Sequence, residues 1–181
     1  HKCNNCGINQ DWKNGNNYND IYSFKKMYNN FIIKTKIPKV IYKTGPFKFK
    51  NLPDKIKNVF NKTIKNNNDY KLEYYDDDDC IKFIKENFND EVLWAYNKLK
   101  PGAYKADLFR YCVLYLYGGI YSDLSQNFLM SLDYIIDFDK DTLLLCEDRY
   151  LPEIKNKCIQ ISFICSIPKH KVFMIAIEKI N

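Results

Sequence analysis

The run of residues 106–125, ADLFRYCVLYLYGGIYSDLS, limits the fold of this chain more than any other part of the sequence. Apolar residues recur at helical spacing through its first half, so one side of the predicted helix can face a core. Gly118 and Gly119 end that helix, because glycine readily takes the left-handed conformation found at helix C-termini. The residues up to Tyr121 favour a short buried strand, and Asp123 follows it. Since ligands bind at the carboxyl ends of strands in open α/β sheets, the run predicts an α/β fold with a carboxylate at the binding edge.

The polar side of the same helix carries Asp107 and Arg110, which lie one turn apart. The chain contains 28 Lys and Arg residues, and just two of them, Arg110 and Arg149, are arginines. A guanidinium binds phosphate in a bidentate geometry, so Arg110, on a helix that leads to a strand exit, is a candidate phosphate ligand. The alternative is an exposed ion pair between Arg110 and Asp107. Both interpretations stay open on the sequence.

Two earlier segments predict two more strands. Residues 37–46, IPKVIYKTGP, favour a first strand and a loop that contains Thr44 and Gly45. In nucleotide-binding α/β domains such a loop lies beside the base or the ribose, although Gly-Pro is equally a plain turn. Residues 69–80, DYKLEYYDDDDC, favour a second strand that is followed by four aspartates. We expect Asp78 or Asp79 to cap the next helix rather than to bind a cation.

The C-terminal part of the chain contains two more short apolar runs. Residues 142–146 and 159–165 are rich in β-branched residues and predict two buried strands. Glu147 and Asp148 follow the first of them, where an acid could serve as an additional cation ligand or simply lie in a solvated turn. His170 precedes an apolar helix, a position where a histidine is more often structural than a ligand.

In chain order, the segments at residues 37–46, 69–80 and 106–125 resemble glycosyltransferases with the DXD motif. That group includes yeast-type initiating mannosyltransferases, capsular polysaccharide transferases and, more distantly, clostridial glucosylating toxins. The resemblance covers roughly residues 37–175 and implies a single GT-A, Rossmann-like α/β domain with a mostly parallel central sheet. It implies that Asp107 and Arg110 hold the donor sugar and its phosphates. It also implies that Tyr121 and Asp123 contact the donor and its metal, with Thr44 and Gly45 as further donor contacts.

The resemblance further implies an activity. A hexose would move from a UDP- or GDP-linked sugar to a hydroxyl group on a glycan or protein acceptor, with retention of the anomeric configuration. The catalytic task is to neutralise the departing diphosphate, which falls to Arg110 and to a divalent cation held by Asp123. The implied cofactor is Mn²⁺ or Mg²⁺, with Asp123 and Ser125 as its ligands.

Ser125 is the point at which the motif departs from the family pattern, because the sequence is Asp123-Leu124-Ser125. A hydroxyl is a weaker ligand than a carboxylate for a hard cation, so we expect a lower metal affinity. The alternative function is a degenerate transferase that binds a sugar or a nucleotide without metal-dependent catalysis.

Composition sets the remaining expectations. We expect residues 1–36 to form a helical or partly disordered extension, and residues 37–181 to form the glycosyltransferase-like domain, either truncated at its C-terminus or minimal.

The net charge of +6 comes from lysines spread along the chain, which favours a solvated surface over a nucleic-acid partner. No stretch of this chain has the length of a membrane-spanning helix. Cysteines within apolar runs favour a cytoplasmic location, or a secretory lumen such as the Golgi if an N-terminal anchor has been removed.

Overall fold

The computed structural model describes residues 36–148 and 158–180, and within them the chain builds one five-stranded sheet. The strands stand in the order β2-β1-β3-β5-β4. Their bounds are Val40–Thr44 for β1, Lys71–Tyr75 for β2, Gly119–Ser122 for β3, Leu143–Glu147 for β4 and Ile159–Ser166 for β5. The predicted strands at residues 142–146 and 159–165 match β4 and β5. The predicted N-terminal extension lies outside the described residues.

The directions of the strands confirm the predicted α/β fold with a mostly parallel sheet. Strand β1 runs parallel to both of its neighbours, β2 and β3. Strand β5 is antiparallel to β3 and to β4. Four strands therefore point the same way and β5 alone is reversed, so the carboxyl ends of β1, β2 and β3 share one edge of the sheet.

Five α-helices accompany the sheet within the described residues. Their bounds are Asp54–Asn66 for α1, Asp77–Asn87 for α2, Asp90–Lys98 for α3, Gly102–Tyr117 for α4 and Lys171–Glu178 for α5. Helix α4 is the one predicted from the run at residues 106–125, and it ends where Gly118 takes a φ of 63°. None of the helices in residues 36–148 and 158–180 combines the length and apolarity needed to cross a membrane.

Apolar side chains cover both faces of the sheet, following the two-residue alternation of the strands. Tyr42 and Tyr121 face one core, to which α2, α3, α4 and α5 contribute. Ile41 and Ile120 face the other core, together with Leu132 from the segment that follows β3. Helix α4 is central to the first core, because five of its apolar side chains are fully buried: Leu108, Phe109, Cys112, Val113 and Leu114.

The four aspartates at residues 76–79 begin helix α2, but the cap is not the predicted Asp78 or Asp79. The Asp76 carboxylate accepts hydrogen bonds from the amides of Asp78 at 3.0 Å and Asp79 at 3.1 Å. The Asp79 carboxylate accepts in return from the Asp76 amide at 3.2 Å, which completes a capping box. Burial opposes ionisation of Asp76, yet hydrogen bonds from Lys48 and from the Asp79 amide hold its pKa below the usual range. The acidic run therefore stabilises a helix start.

Two glycines set the junction between α4 and β3. A Cβ atom on Gly118 would lie 2.5 Å from the Pro168 nitrogen, and one on Gly119 would lie 2.8 Å from the Val40 carbonyl oxygen. Gly119 also has a φ of 95°, a conformation that other residues rarely adopt. The junction thus places β3 immediately after α4, and it brings Asp123 to the sheet edge within six residues of the helix end.

Candidate active site

The carboxyl ends of β1 and β3 bring the first predicted site residues together. Tyr42 pairs with Tyr121 in the parallel register, so Thr44 and Asp123 each lie two residues further along neighbouring strands. The Thr44 hydroxyl and the Tyr121 hydroxyl are 3.3 Å apart. Two segments that are about 80 residues apart in the sequence therefore meet at one edge of the sheet.

Arg110 lies at the centre of the predicted cluster and is 4% exposed. Its Nη2 atom is 2.7 Å from Asp107 Oδ1 and 3.3 Å from Asp123 Oδ1. Its Cζ atom lies 4.4 Å from the centre of the Tyr121 ring. The structure thus places Asp107, Tyr121 and Asp123 in contact with Arg110. The ion pair with Asp107, which the sequence left open, is present, with its guanidinium buried and its carboxylate partly exposed.

The remaining donor groups of Arg110 also bond to the protein. Its Nε atom donates to the Ala106 carbonyl at 3.2 Å, and its Nη1 atom donates to the Ile161 carbonyl. The carboxylates are more open, with side-chain exposures of 30% for Asp107 and 41% for Asp123. A buried guanidinium therefore holds two acids whose free edges face solvent. Burial raises the pKa of Asp107, with Arg110 opposing that rise and Asp123 adding to it.

The residues after β3 form a tight turn that carries the altered motif. The Gln126 amide donates to the Asp123 carbonyl at 3.0 Å, so residues 123–126 form a β-turn. Leu124 and Ser125 occupy its two central positions, and Ser125 is exposed. The hydroxyl that replaces the second acid of the motif is therefore available to a ligand.

A cavity of about 280 Å³ lies beside this turn. Its lining includes Thr44, Gly45 and Leu124 from the strand exits, and Gly102 and Ala103 from the first turn of α4. A Cβ atom on Gly45 would lie 2.7 Å from the Tyr74 hydroxyl oxygen and 3.0 Å from Leu124 Cδ2, so glycine permits the close approach of these groups. The first amides of a helix can bind an anion, because they have no intrahelical acceptor. The cavity therefore presents the start of α4, several apolar side chains and the Asp77 carboxylate to a ligand.

Lys43 is a site residue that the sequence analysis missed. It is 0% exposed, and its Nζ atom donates to Ser122 Oγ at 3.0 Å and to the carbonyls of Asp123 at 2.8 Å and Gln126 at 3.0 Å. Burial lowers its pKa to about 8, and the nearby Asp123 carboxylate opposes that shift. The one available signal was a lysine within an otherwise apolar strand.

Gln126 was also missed, and it connects the turn to strand β5. The Ser122 hydroxyl donates to Gln126 Oε1 at 3.1 Å, and Gln126 Nε2 donates to Ser162 Oγ at 2.9 Å. The Asp123 amide donates to the Ser162 carbonyl at 2.9 Å. This polar network fixes the turn against the sheet.

The donor set for a divalent cation is small. No group of three or more His, Cys, Asp or Glu side chains is arranged to hold a metal ion in residues 36–148 and 158–180. Glu147 ends β4, which is separated from β3 by β5, so it lies two strands away from Asp123. Mg²⁺ typically takes one or two carboxylates plus substrate phosphates. Asp123 and the Ser125 hydroxyl fit a cation that arrives with a diphosphate.

His170 has the structural role that its position predicts. It is the N-cap residue of α5, where its Nδ1 atom accepts a hydrogen bond from the Val172 amide at 3.4 Å. Its ring packs edge-on against Phe173. Burial lowers the pKa of His170, so the neutral form that can accept this hydrogen bond is favoured.

Known proteins share both sequence and fold with this chain. A family model described as "Glycosyltransferase sugar-binding region containing DXD motif" matches residues 53–141. Uncharacterized glycosyltransferase L373 of Acanthamoeba polyphaga mimivirus is 35% identical over 90 residues, which cover 50% of this chain and 36% of that protein. Mannosyl phosphorylinositol ceramide synthase SUR1 of Saccharomyces cerevisiae is 27% identical over 145 residues, which cover 80% of this chain and 35% of that protein. The chain thus spans about a third of the length of these two relatives.

A solved structure supports the fold independently of close sequence similarity. PaToxG Glycosyltransferase aligns with 87% of this chain and 67% of its own, with a TM-score of 0.55 and 19% sequence identity. DXD-containing glycosyltransferases usually bind a divalent cation, which agrees with the Asp123 carboxylate at the exit of β3. The matched region includes α4, β3 and the turn that follows. Residues 53–141 of this chain therefore match the glycosyltransferase sugar-binding region that contains a DXD motif, and the sequence relatives support the same family.

Proposed function

We propose that this chain carries the donor-binding part of a glycosyltransferase that moves a hexose from a UDP- or GDP-sugar to a hydroxyl acceptor on a glycan or protein. We further propose retention of the anomeric configuration. The observation that supports this function best is the meeting of Asp107, Arg110, Tyr121 and Asp123 at the sheet edge, beside a cavity lined by Thr44 and Gly45.

Each residue has a distinct task in this proposal. The Asp107 carboxylate accepts hydrogen bonds from sugar hydroxyls, and the Asp123 carboxylate holds the cation. Arg110 contacts both carboxylates and fixes their orientation. Thr44 and Gly45 line the nucleoside side of the cavity, and the amides at the start of α4 donate hydrogen bonds to the diphosphate. Arg110 adds positive charge close to the leaving group, which lowers the energy of the developing diphosphate anion.

A divalent cation, Mn²⁺ or Mg²⁺, would act as a Lewis acid on the diphosphate. Asp123 is the carboxylate that would hold it, with the Ser125 hydroxyl as the weaker second ligand. Because these residues form no complete metal site, cation and nucleotide are expected to bind together.

The second candidate function is a sugar- or nucleotide-binding module without metal-dependent catalysis. Two observations favour it. Ser125 stands where the motif has its second acid, and the donor groups of Arg110 already bond to protein atoms. Such a module would bind a nucleotide with an affinity that does not depend on Mn²⁺.

Partners and compartment are also proposals. The names of SUR1 and of two inositol phosphoceramide mannosyltransferases of Schizosaccharomyces pombe indicate that those proteins add mannose to the lipid inositol phosphoceramide. A headgroup hydroxyl has the same chemistry as the glycan hydroxyl proposed for this chain. We keep a cytoplasmic location as the prediction and propose no nucleic-acid partner.

The first experiment is thermal unfolding with UDP, GDP and their common sugars, each with and without MnCl₂. A ligand that binds the native state raises the midpoint, and the rise reports its affinity. A Mn²⁺-dependent rise with one nucleotide supports the transferase, and a rise that ignores Mn²⁺ supports the binding module. No rise with any nucleotide would contradict both candidates.

Ser125→Asp is the matched variant for this experiment. It restores the second acid at an exposed turn position, so we expect a stronger Mn²⁺ dependence with little change in the unligated midpoint. A variant that binds nucleotide and Mn²⁺ no better than the parent chain would argue against Asp123 and Ser125 as the cation ligands.

A further inference from the structure

Lys43 is buried at a place where lysine is rarely found. It lies near the end of β1 and is 0% exposed, and its ammonium group sits between two aromatic rings. The Nζ atom is 6.0 Å from the centre of the Phe60 ring and 5.7 Å from that of Phe128. Lysine is almost never fully buried without partners, because losing the hydration of an ammonium is costly.

The partners of Lys43 all belong to β3 or to the turn after it. Its three hydrogen bonds go to the Ser122 hydroxyl and to the carbonyls of Asp123 and Gln126. An ammonium has three donors, so each of them is used. The two carbonyls belong to the first and last residues of the turn at residues 123–126.

The geometry of the turn depends on this arrangement. The carbonyls at both ends of the turn accept hydrogen bonds from Lys43 Nζ on β1. The Gln126 side chain donates a hydrogen bond to Ser162 on β5. Asp123 is thereby held at two points: Lys43 holds its backbone carbonyl, and Arg110 holds its carboxylate.

We propose that Lys43 is a positioning residue of the donor site: its ammonium clamps the turn at residues 123–126 and so fixes where Asp123 presents its carboxylate. The part played by Asp123 rests on the proposed function, whereas the clamp itself does not. A side chain of similar length without donors leaves two carbonyls and a hydroxyl without their partner, so the turn loses its attachment to β1.

The test of the clamp is amide hydrogen exchange on Lys43→Met. We expect the Gln126 amide, which donates to the Asp123 carbonyl, to exchange about tenfold faster or more, because local opening exposes it. Amides in the β1–β3 ladder at Ile41 and Ile120 keep their protection. Lys39→Met is the matched control, because Lys39 directly precedes the same strand and pairs with acids at the opposite end.

A second arm tests the consequence for the donor site. The dissociation constant of UDP or GDP in the presence of MnCl₂ is measured for the parent chain and for both variants. We expect about tenfold weaker binding for Lys43→Met and no change for Lys39→Met. If the parent chain binds neither nucleotide, the proposed function fails and the exchange experiment alone decides about the clamp.

Two results would overturn the proposal. One is unchanged exchange at residues 123–126 in Lys43→Met. The other is faster exchange at all protected amides to the same degree, which shows a role in global stability alone. Should Lys43→Met fail to fold, Ser122→Ala removes one of the three acceptors, and with it the hydrogen bond from Ser122 to the Gln126 side chain, and keeps the ammonium. It must then give a smaller increase in exchange, confined to the same turn, for the proposal to stand.

Discussion

Two clusters at opposite ends of the sheet contain the same kinds of residue but differ in burial. At the carboxyl edge, Arg110 contacts Asp107 and Asp123 and lies over the Tyr121 ring. At the amino edge, a cluster of matching composition combines one cation, two acids and one tyrosine: Lys39, Asp69, Asp133 and Tyr70. Arg110 is 4% exposed, whereas Lys39 has a side-chain exposure of 38%.

The difference in burial gives the clusters different properties. Around Lys39, the cation and both acids are in water, so their attraction is weak and holds surface segments together. Around Arg110, the cation is removed from water and the acids face outward beside a cavity. A charged group in a dry site interacts more strongly with a ligand than one in water. Burial of the cation therefore separates a candidate binding site from a surface ion-pair cluster.

The largest expected contrast is in stability. Arg110→Met leaves two partly buried carboxylates without their cation, which we expect to lower the free energy of unfolding by about 3 kcal/mol. Lys39→Met breaks exposed pairs and should cost less than about 1 kcal/mol. Urea unfolding of both variants measures the difference. Equal costs for the two variants would show that burial does not separate the clusters.

Ligand binding gives the second contrast. We expect Asp123→Asn to weaken the binding of UDP or GDP with MnCl₂ about tenfold, because a neutral amide is a poor cation ligand. Asp133→Asn, its counterpart at the amino edge, should leave that binding unchanged. Isothermal titration calorimetry measures both. A loss of affinity in Asp133→Asn as large as in Asp123→Asn would contradict the assignment of the donor site to the carboxyl edge.

The acids of the two clusters should also respond to pH in opposite directions. The hydrogen bond from Lys39 holds the pKa of Asp133 below its usual range, whereas burial raises the pKa of Asp107. The stability that Asp133 contributes is complete above its unfolded-state pKa of about 3.9 and is lost as the pH falls through its lower folded-state pKa. Folded Asp107 binds its proton more tightly than the unfolded chain does, so its contribution to stability grows as the pH falls through its raised pKa.

This contrast can be measured by urea unfolding between about pH 5 and about pH 2. The stability difference between the parent chain and Asp133→Asn should shrink as the pH falls. Relative to Asp107→Asn, the parent chain should instead gain free energy of unfolding as the pH falls. Parallel changes in the two variants would mean that the acids share one environment.

Much of the carboxyl-edge cluster could be predicted from the sequence, because it depends on local patterns. The apolar period of α4, the two glycines and the short strand before Asp123 are all features of neighbouring residues. They placed Asp107, Arg110, Tyr121 and Asp123 on elements that meet. The reversal of β5 could not be predicted in this way, because an apolar run does not indicate the direction of its strand.

The residues that were misjudged depend on tertiary contacts or on a choice between equivalent neighbours. Any of four consecutive aspartates can cap α2, and the structure selects Asp76, which Lys48 also contacts. Lys43 looks like a surface lysine until β1 pairs with β3 and the turn at residues 123–126 closes over it. Burial of the Arg110–Asp107 pair likewise requires Ile161 of β5 and Tyr121 of β3 to cover the guanidinium.

The smallest expected contrast is in how salt changes the stability cost of the two cation variants. It tests whether burial of the cation is the cause of the larger contrasts. At about 1 M salt the screening length falls to about 3 Å, so exposed charge pairs lose most of their attraction while buried pairs keep it. The small cost of Lys39→Met should therefore vanish in 1 M NaCl, whereas most of the cost of Arg110→Met should remain. Urea unfolding at low and high NaCl measures both costs. If the cost of Arg110→Met also disappeared, water would reach the guanidinium, and the carboxyl-edge cluster would be a surface ion-pair network like that around Lys39.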